Sequence, residues 1–149
     1  MKIKQILAIK GAVLYTIAPD KRLADAIAIM SDQDIGSLVC FVGGKMVGML
    51  SFREVLNTVH AHGAAWGDVK VSDVMVADPM TVTPEMQVDE LRRLMIDHHV
   101  RYLPVTDGAM LMGVISFHDV AKAVLEEQSF ENRMLKAYIK DWPEEQQNP

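Results

Sequence analysis

The sequence predicts a mixed α/β fold (α+β in its segregation). Two β-α-β-β-α units related by a pseudo-twofold axis pack sheet to sheet, and one more helix lies at the C-terminal end. Three observations predict it. Half of the 149 residues are hydrophobic, enough to build a core. The phrase "GMLSFREV" at Gly48–Val55 returns as "GVISFHDV" at Gly113–Val120. A shift of 65 positions lays Thr16–Val55 over Thr81–Val120 without a gap, and ten of the forty pairs are identical. Two copies are too few for a solenoid, whose units need neighbours on both sides, but they suffice for a closed pair.

Each unit opens on Thr-x-x-Pro (Thr16–Pro19, Thr81–Pro84), which suits an extended piece because the residue before proline avoids the helical region. A helix follows. Leu23, Ile27 and Met30 share one face with Ala26 beside them, and Val88, Leu91 and Met95 take these places in the second unit. "SLVCFV" and "KMVGML" are strand-length apolar runs separated by Gly43-Gly44, a tight hairpin signal. Asp107-Gly108 is the expected turn of the second hairpin. The closing helix, "SFREVLNTVHAH", stops at Gly63, and its counterpart is "SFHDVAKAVLEEQ". The linker holds one short helix around Ser72–Met75. Upstream, "IKQIL" resembles "VSDVM" once gaps are allowed. At the C-terminal end, Phe130, Met134, Leu135, Tyr138, Ile139 and Trp142 form an apolar helix face that needs a cover, and "PEEQQNP" reads as a frayed tail. The expected division is 1–66, 67–128 with the linker helix, and 129–149.

Composition narrows the function classes. The net charge is −5 and no basic block stands out, which argues against a nucleic-acid partner. No apolar stretch is long enough for a bilayer, and the lysines scattered through "MKIKQILAIKGAVLY" are unlike a signal peptide. The expectation is a cytoplasmic protein without a membrane partner. The one cysteine, Cys40, lies in an apolar run and reads as a small core hydrophobe. Met30, Met49, Met95 and Met112 also fall at apolar periodic positions. His60 and His62 are two apart on a helix and diverge, and the pair His98-His99 lacks zinc-site spacing, so no metal site is expected. No catalytic or phosphate-loop motif is present, which points away from an enzyme.

The repeated phrase admits two readings. Ser51 with Glu54, and Ser116 with Asp119, have the capping-box spacing: the hydroxyl satisfies an orphan amide and the acid reaches back to the cap's own N–H. The same groups, at the positive end of a helix, could instead bind the two hydroxyls of a ribose. The cap alone does not explain why the whole unit is doubled.

These signatures occur in order and twice: the Thr-x-x-Pro start, then "IGSLVC" and "VRYLPV", then Gly-x-x-Ser-x-x-acid at Gly48–Glu54 and Gly113–Asp119. The pattern resembles a tandem pair of CBS domains (named for cystathionine β-synthase), a Bateman module, over about residues 1–128, in a stand-alone CBS-domain protein. The resemblance implies a non-catalytic regulatory module that binds AMP, ADP, ATP, NAD or S-adenosylmethionine between the repeats. It also implies a homodimer that signals to a regulated protein not named by the sequence. One site would use Ser116 and Asp119 on the ribose, with Val114 and His118 nearby, completed by Thr16, Ile17, Ala18, Ile35, Gly36, Ser37 and Leu38. The other would use Ser51, Arg53 and Glu54, completed by Thr81, Thr83, Val100, Arg101, Tyr102 and Leu103. Arg53, Arg101 and His118 are the expected phosphate contacts. Glu54 departs from the family's aspartate, so the Asp119 site ranks first. The alternative is a structural dimerisation adaptor without a ligand, in which both motifs are only caps.

Overall fold

The computed structural model describes residues 1–11 and 13–140; Trp142 and the "PEEQQNP" tail lie outside the described residues. The element order is α1 (Ile3–Lys10), β1 (Thr16–Ile17), α2 (Leu23–Gln33), β2 (Ser37–Val42), β3 (Lys45–Ser51), α3 (Phe52–His62), a 3-10 turn (Gly63–Asp68), α4 (Val71–Val74), β4 (Val76–Ala77), α5 (Val88–His98), β5 (Tyr102–Asp107), β6 (Met110–Ser116) and α6 (Phe117–Lys140). This is the mixed α/β architecture of two repeated units with a long C-terminal helix. One sheet has the order β1-β2-β3-β4, and the other is the β5-β6 hairpin.

Local chemistry explains most boundaries. Gly43 and Gly44 both have positive φ, as a two-residue turn between right-twisted strands requires. In the second hairpin Asp107 still pairs with Met110, so the turn is Gly108-Ala109, one residue later than expected. α2 and α5 end on equivalent left-handed residues, Asp34 and His99. α3 stops where Gly63 leaves the helical region. α6 meets no glycine or proline after Phe117, so it runs unbroken for 24 residues, through the expected boundary at 128/129.

The two units differ at their first strand. In the first unit β1 pairs in parallel with β2, and the Val39 N–H donates to the Tyr15 carbonyl (3.0 Å). The residue equivalent to Val39 is Pro104, which has no N–H to give. The pairing there shrinks to one bridge, Val82 with Val105.

Each unit's apolar core takes in a helix from the other unit's leading segment. Ile17, Leu23, Ala26, Met30, Leu38, Cys40 and Leu50 pack with Val71 of α4. Val82, Val88, Leu91, Met95, Leu103, Val105 and Ile115 pack with Ile3 and Ile6 of α1. Matching backbone bonds hold both helices. The Ile3 and Lys4 N–H groups donate to the Met86 and Pro84 carbonyls, and those of Val71 and Ser72 donate to Lys21 and Pro19. The bridges Lys2–Gln87 and Arg22–Lys70 repeat the same relation. The segment that precedes each repeat therefore covers the opposite repeat.

Cys40 is buried in the first core, and its thiol is pushed up to about 11 by burial, with the Glu54 charge adding to the effect. It is a protonated core group at neutral pH. Met112 is exposed, contrary to expectation, and it is the extra residue where the register shifts: Val105 pairs with Gly113 and Thr106 with Leu111, which leaves Met112 unpaired. No helix among the described residues is long and apolar enough to cross a membrane.

Candidate functional site

The repeated phrase puts each serine at the end of a strand and the start of a helix. Both capping boxes form. The Ser51 N–H donates to Glu54 Oε1 (2.8 Å), and the Ser51 hydroxyl accepts from the Arg53 N–H (3.3 Å) and donates to the same carboxylate. The Ser116 N–H donates to Asp119 Oδ2 (2.9 Å), and the Asp119 N–H donates to the Ser116 hydroxyl (3.0 Å). The next residues tie the strand entrances to these corners: the Phe52 N–H donates to the Gly36 carbonyl and the Phe117 N–H to that of Arg101.

Around the Glu54 corner lies an open cleft of about 870 Å³. Its polar lining is Ser51, Arg53, Glu54 and Asn57 from the start of α3, with Arg101 and His99 from the second unit. Phe52, Phe117, Met49, Met80, Met95 and Ile96 supply an apolar surface. The volume falls in the range of small-molecule sites, and the mix of apolar walls with a few polar groups is typical of them. Two arginines against one carboxylate leave the mouth net positive. The Arg101 guanidinium lies 5.1 Å from the centroid of the Phe52 ring, and Tyr102 meets that ring edge-on at 6.1 Å and 86°. A guanidinium over an aromatic ring keeps its N–H donors for a phosphate oxygen to accept, because the ring face takes no hydrogen bond of comparable strength. Burial raises the Tyr102 phenol above its ordinary value, with Arg101 opposing and Asp119 adding to the shift.

The Asp119 corner is occupied by the chain itself. The Lys10 ammonium, at the end of α1, donates to Asp119 Oδ2 and to the Val114 carbonyl, both at 2.8 Å. Partial burial pushes the Asp119 carboxyl up, but hydrogen bonds from Lys10 and Ser116 and the Lys10 charge outweigh it, and the net shift is downward.

The structure thus brings Ser51, Arg53, Glu54, Val100, Arg101, Tyr102 and Leu103 together in one cleft, whereas Thr81 and Thr83 are exposed outside its lining. Ser116, Asp119 and Val114 meet at Lys10, and His118 is exposed beside them on α6. The side chains of Ile17 and Leu38 are spent in the core, so only their main chain can face a crevice. Thr16 is exposed, and Ala18, Ile35 and Ser37 are half-buried. Gly36 lies against the Tyr102 hydroxyl and the Phe52 ring, with no room for a Cβ. Sequence reasoning missed Lys10, and also Asn57 and Met80 as parts of the cleft wall. The available signal for Lys10 was the gap needed to align "IKQIL" with "VSDVM". A second groove of about 510 Å³ has only α6 for a wall, between Leu125 and Lys136, and encloses nothing. Among the described residues no group of three His, Cys, Asp or Glu could hold a metal ion.

Comparison with known proteins bears on the family and the fold. The chain is 32% identical over 125 residues to the mitochondrial CBS domain-containing protein CBSX3 of Arabidopsis thaliana, covering 80% of this chain and 61% of that protein. The chain therefore spans about three fifths of that relative's length. A CBS-domain containing protein from Agrobacterium tumefaciens superposes with a TM-score of 0.80 at 28% identity, over 83% of this chain and 98% of that one. The CBS domain pair of protein MJ0100, solved with 5'-methylthioadenosine and S-adenosyl-L-methionine, shares the fold at a TM-score of 0.73 and 18% identity, over 85% and 98%. The CBS-domain profile itself matches twice, at residues 9–61 and 71–126. With two such matches over most of its length, and a pseudo-twofold exchange of helices between them, this chain belongs to the CBS-domain family as a tandem pair.

Proposed function

We propose that the chain is a non-catalytic regulatory module that binds an adenine nucleotide, AMP, ADP, ATP or NAD, between its two repeats. The observation that carries this reading is the open cleft at the Glu54 corner, where an apolar surface meets a serine-carboxylate pair and two arginines. In this pose the base lies on the apolar wall, the ribose hydroxyls donate to Glu54, and the phosphates accept from Arg53 and Arg101. Glu54 already bonds the Ser51 N–H through Oε1. Its second oxygen takes only the Ser51 hydroxyl among the described contacts, so acceptor capacity remains. That the CBS pair of MJ0100 holds two adenosine compounds on the same fold supports the ligand class. Binding would tie Arg101 of the second unit to Glu54 of the first. It would then shift how a homodimer, or a regulated partner, meets the module, provided the two states differ in affinity.

A ligand-free dimerisation adaptor is the second reading. The observation favouring it is that both carboxylates satisfy their own helix caps. One experiment separates the two: titration calorimetry and thermal unfolding of the full chain with AMP, ATP and NAD. A ligand at a hundredfold excess over its dissociation constant should stabilise the protein by about 2.7 kcal/mol. Arg101→Ala should weaken AMP by about tenfold, the loss of one charge-assisted contact. No heat and no rise in melting temperature at millimolar concentration of any of the three would leave the adaptor reading.

A further inference from the structure

The two helices that precede the repeats match only up to a point. Ile3 and Val71 occupy equivalent places, each fully buried in the opposite core. Leu7 and Met75 are equivalent too: each stands over the glycine of a repeated phrase, Leu7 over Gly113 and Met75 over Gly48. After that the halves diverge. α4 ends at Val74 and the chain becomes the edge strand β4. α1 continues to Lys10. The extra turn delivers the Lys10 ammonium to the Val114 carbonyl and Asp119 Oδ2. Glu54, in the other half, takes part in no ion pair among the described residues.

We infer that Lys10 makes the Asp119 corner selective for phosphorylated over unphosphorylated nucleosides. The inference rests on the nucleotide reading above. A ribose diol that bonds both oxygens of Asp119 must compete with Lys10, because Oδ2 already takes both the Ser116 N–H and the ammonium. The carboxylate side chain is 17% exposed and the lysine 36%. The pair is thus screened little on the acid side, while the ammonium is open to solvent and to an incoming anion. A bare nucleoside that takes the carboxylate leaves the ammonium without its anion, which is costly for a partly desolvated charge. A nucleotide brings a replacement: its hydroxyls take the carboxylate and its phosphate takes Lys10. Charges stay paired before and after, and the exchange favours the phosphorylated ligand. The Glu54 corner has no such cation to displace and should discriminate less through this route.

The test is titration of the full chain with AMP and with adenosine, in wild type, Lys10→Met, Lys10→Arg and Asp119→Asn. The Asp119 corner is read as the part of the binding that Asp119→Asn removes. There, Lys10→Met should lower the AMP-to-adenosine preference by about tenfold, weakening AMP and strengthening adenosine, as expected for one charge-assisted contact. Lys10→Arg should keep the preference. Ile3 and Ile6 hold α1 in place, so Lys10→Met should retain the fold, which circular dichroism checks. An unchanged preference in Lys10→Met, or no loss of binding in Asp119→Asn, overturns the inference and leaves the Glu54 cleft reading standing. Absence of binding by either ligand to the wild type overturns the nucleotide reading, and this inference with it.

Discussion

Ile3→Ala tests the exchange of helices between the two units. Ile3 is fully buried, and its neighbours are Val82, Val88, Leu91 and other residues of the second unit, although it stands before the first repeat in the chain. Truncating a buried isoleucine to alanine costs about 2–5 kcal/mol, from lost transfer energy and the cavity left behind. For a chain of this size that is a fall in melting temperature of roughly 5–15 °C. The location of the damage tells more than its size. Hydrogen exchange should quicken in α5 and in the β5-β6 hairpin, while β2 and β3 keep their protection until global unfolding. Val71→Ala should do the reverse, loosening α2, β2 and β3, with a cost lower by about 0.8 kcal/mol for the one carbon fewer removed. If Ile3→Ala loosened β2 and β3 first, or lowered the melting temperature by less than about 2 °C, the packing of α1 in the second core would be refuted.

Two further outcomes can be checked by thermal unfolding. Gly36→Ala should be destabilising because its Cβ would meet the Tyr102 hydroxyl and the Phe52 ring, and Tyr102→Phe in the same chain should recover part of the loss; additive effects would argue against that contact. The Lys10–Asp119 pair should contribute to stability at neutral pH. Because the folded Asp119 carboxyl lies below its ordinary value, that contribution is present above the unfolded value of about 3.9 and is lost as pH falls through the lower folded value. The gap in melting temperature between wild type and Lys10→Met should therefore hold from neutral pH down to about pH 5 and narrow below about pH 4, and a gap unchanged in acid would contradict the assignment.

The readable parts of the site were those carried by short spacings. Ser51 with Glu54 and Ser116 with Asp119 lie three residues apart at a strand-to-helix junction, so their hydrogen bonds are set by local geometry. Arg53 stands beside one of these junctions and so falls at the cleft by position, whereas Arg101, at the entrance to β5, was placed there by the family pattern. The order of the two corners was not readable. The aspartate made the Asp119 corner the preferred site, yet its carboxylate is held by a lysine 109 residues away, and the open cleft belongs to Glu54. Met80 in the cleft wall carries no motif; it follows β4 in the linker.

By itself the sequence determined the doubled β-α-β-β-α unit, the period of each helix and strand, the helix caps and the membership in a family of paired domains. All of these depend on residues a few positions apart, or on comparing one copy with the other. Only the tertiary structure decided that α1 covers the second core and α4 the first, and that Pro104 reduces one opening strand to a bridge. It also decided that the extra turn of α1 closes one corner while the other stays open. An apolar face specifies that something must cover it, and a carboxylate that something must pair with it. Which distant segment does so depends on chain lengths and contacts in space that no local period records.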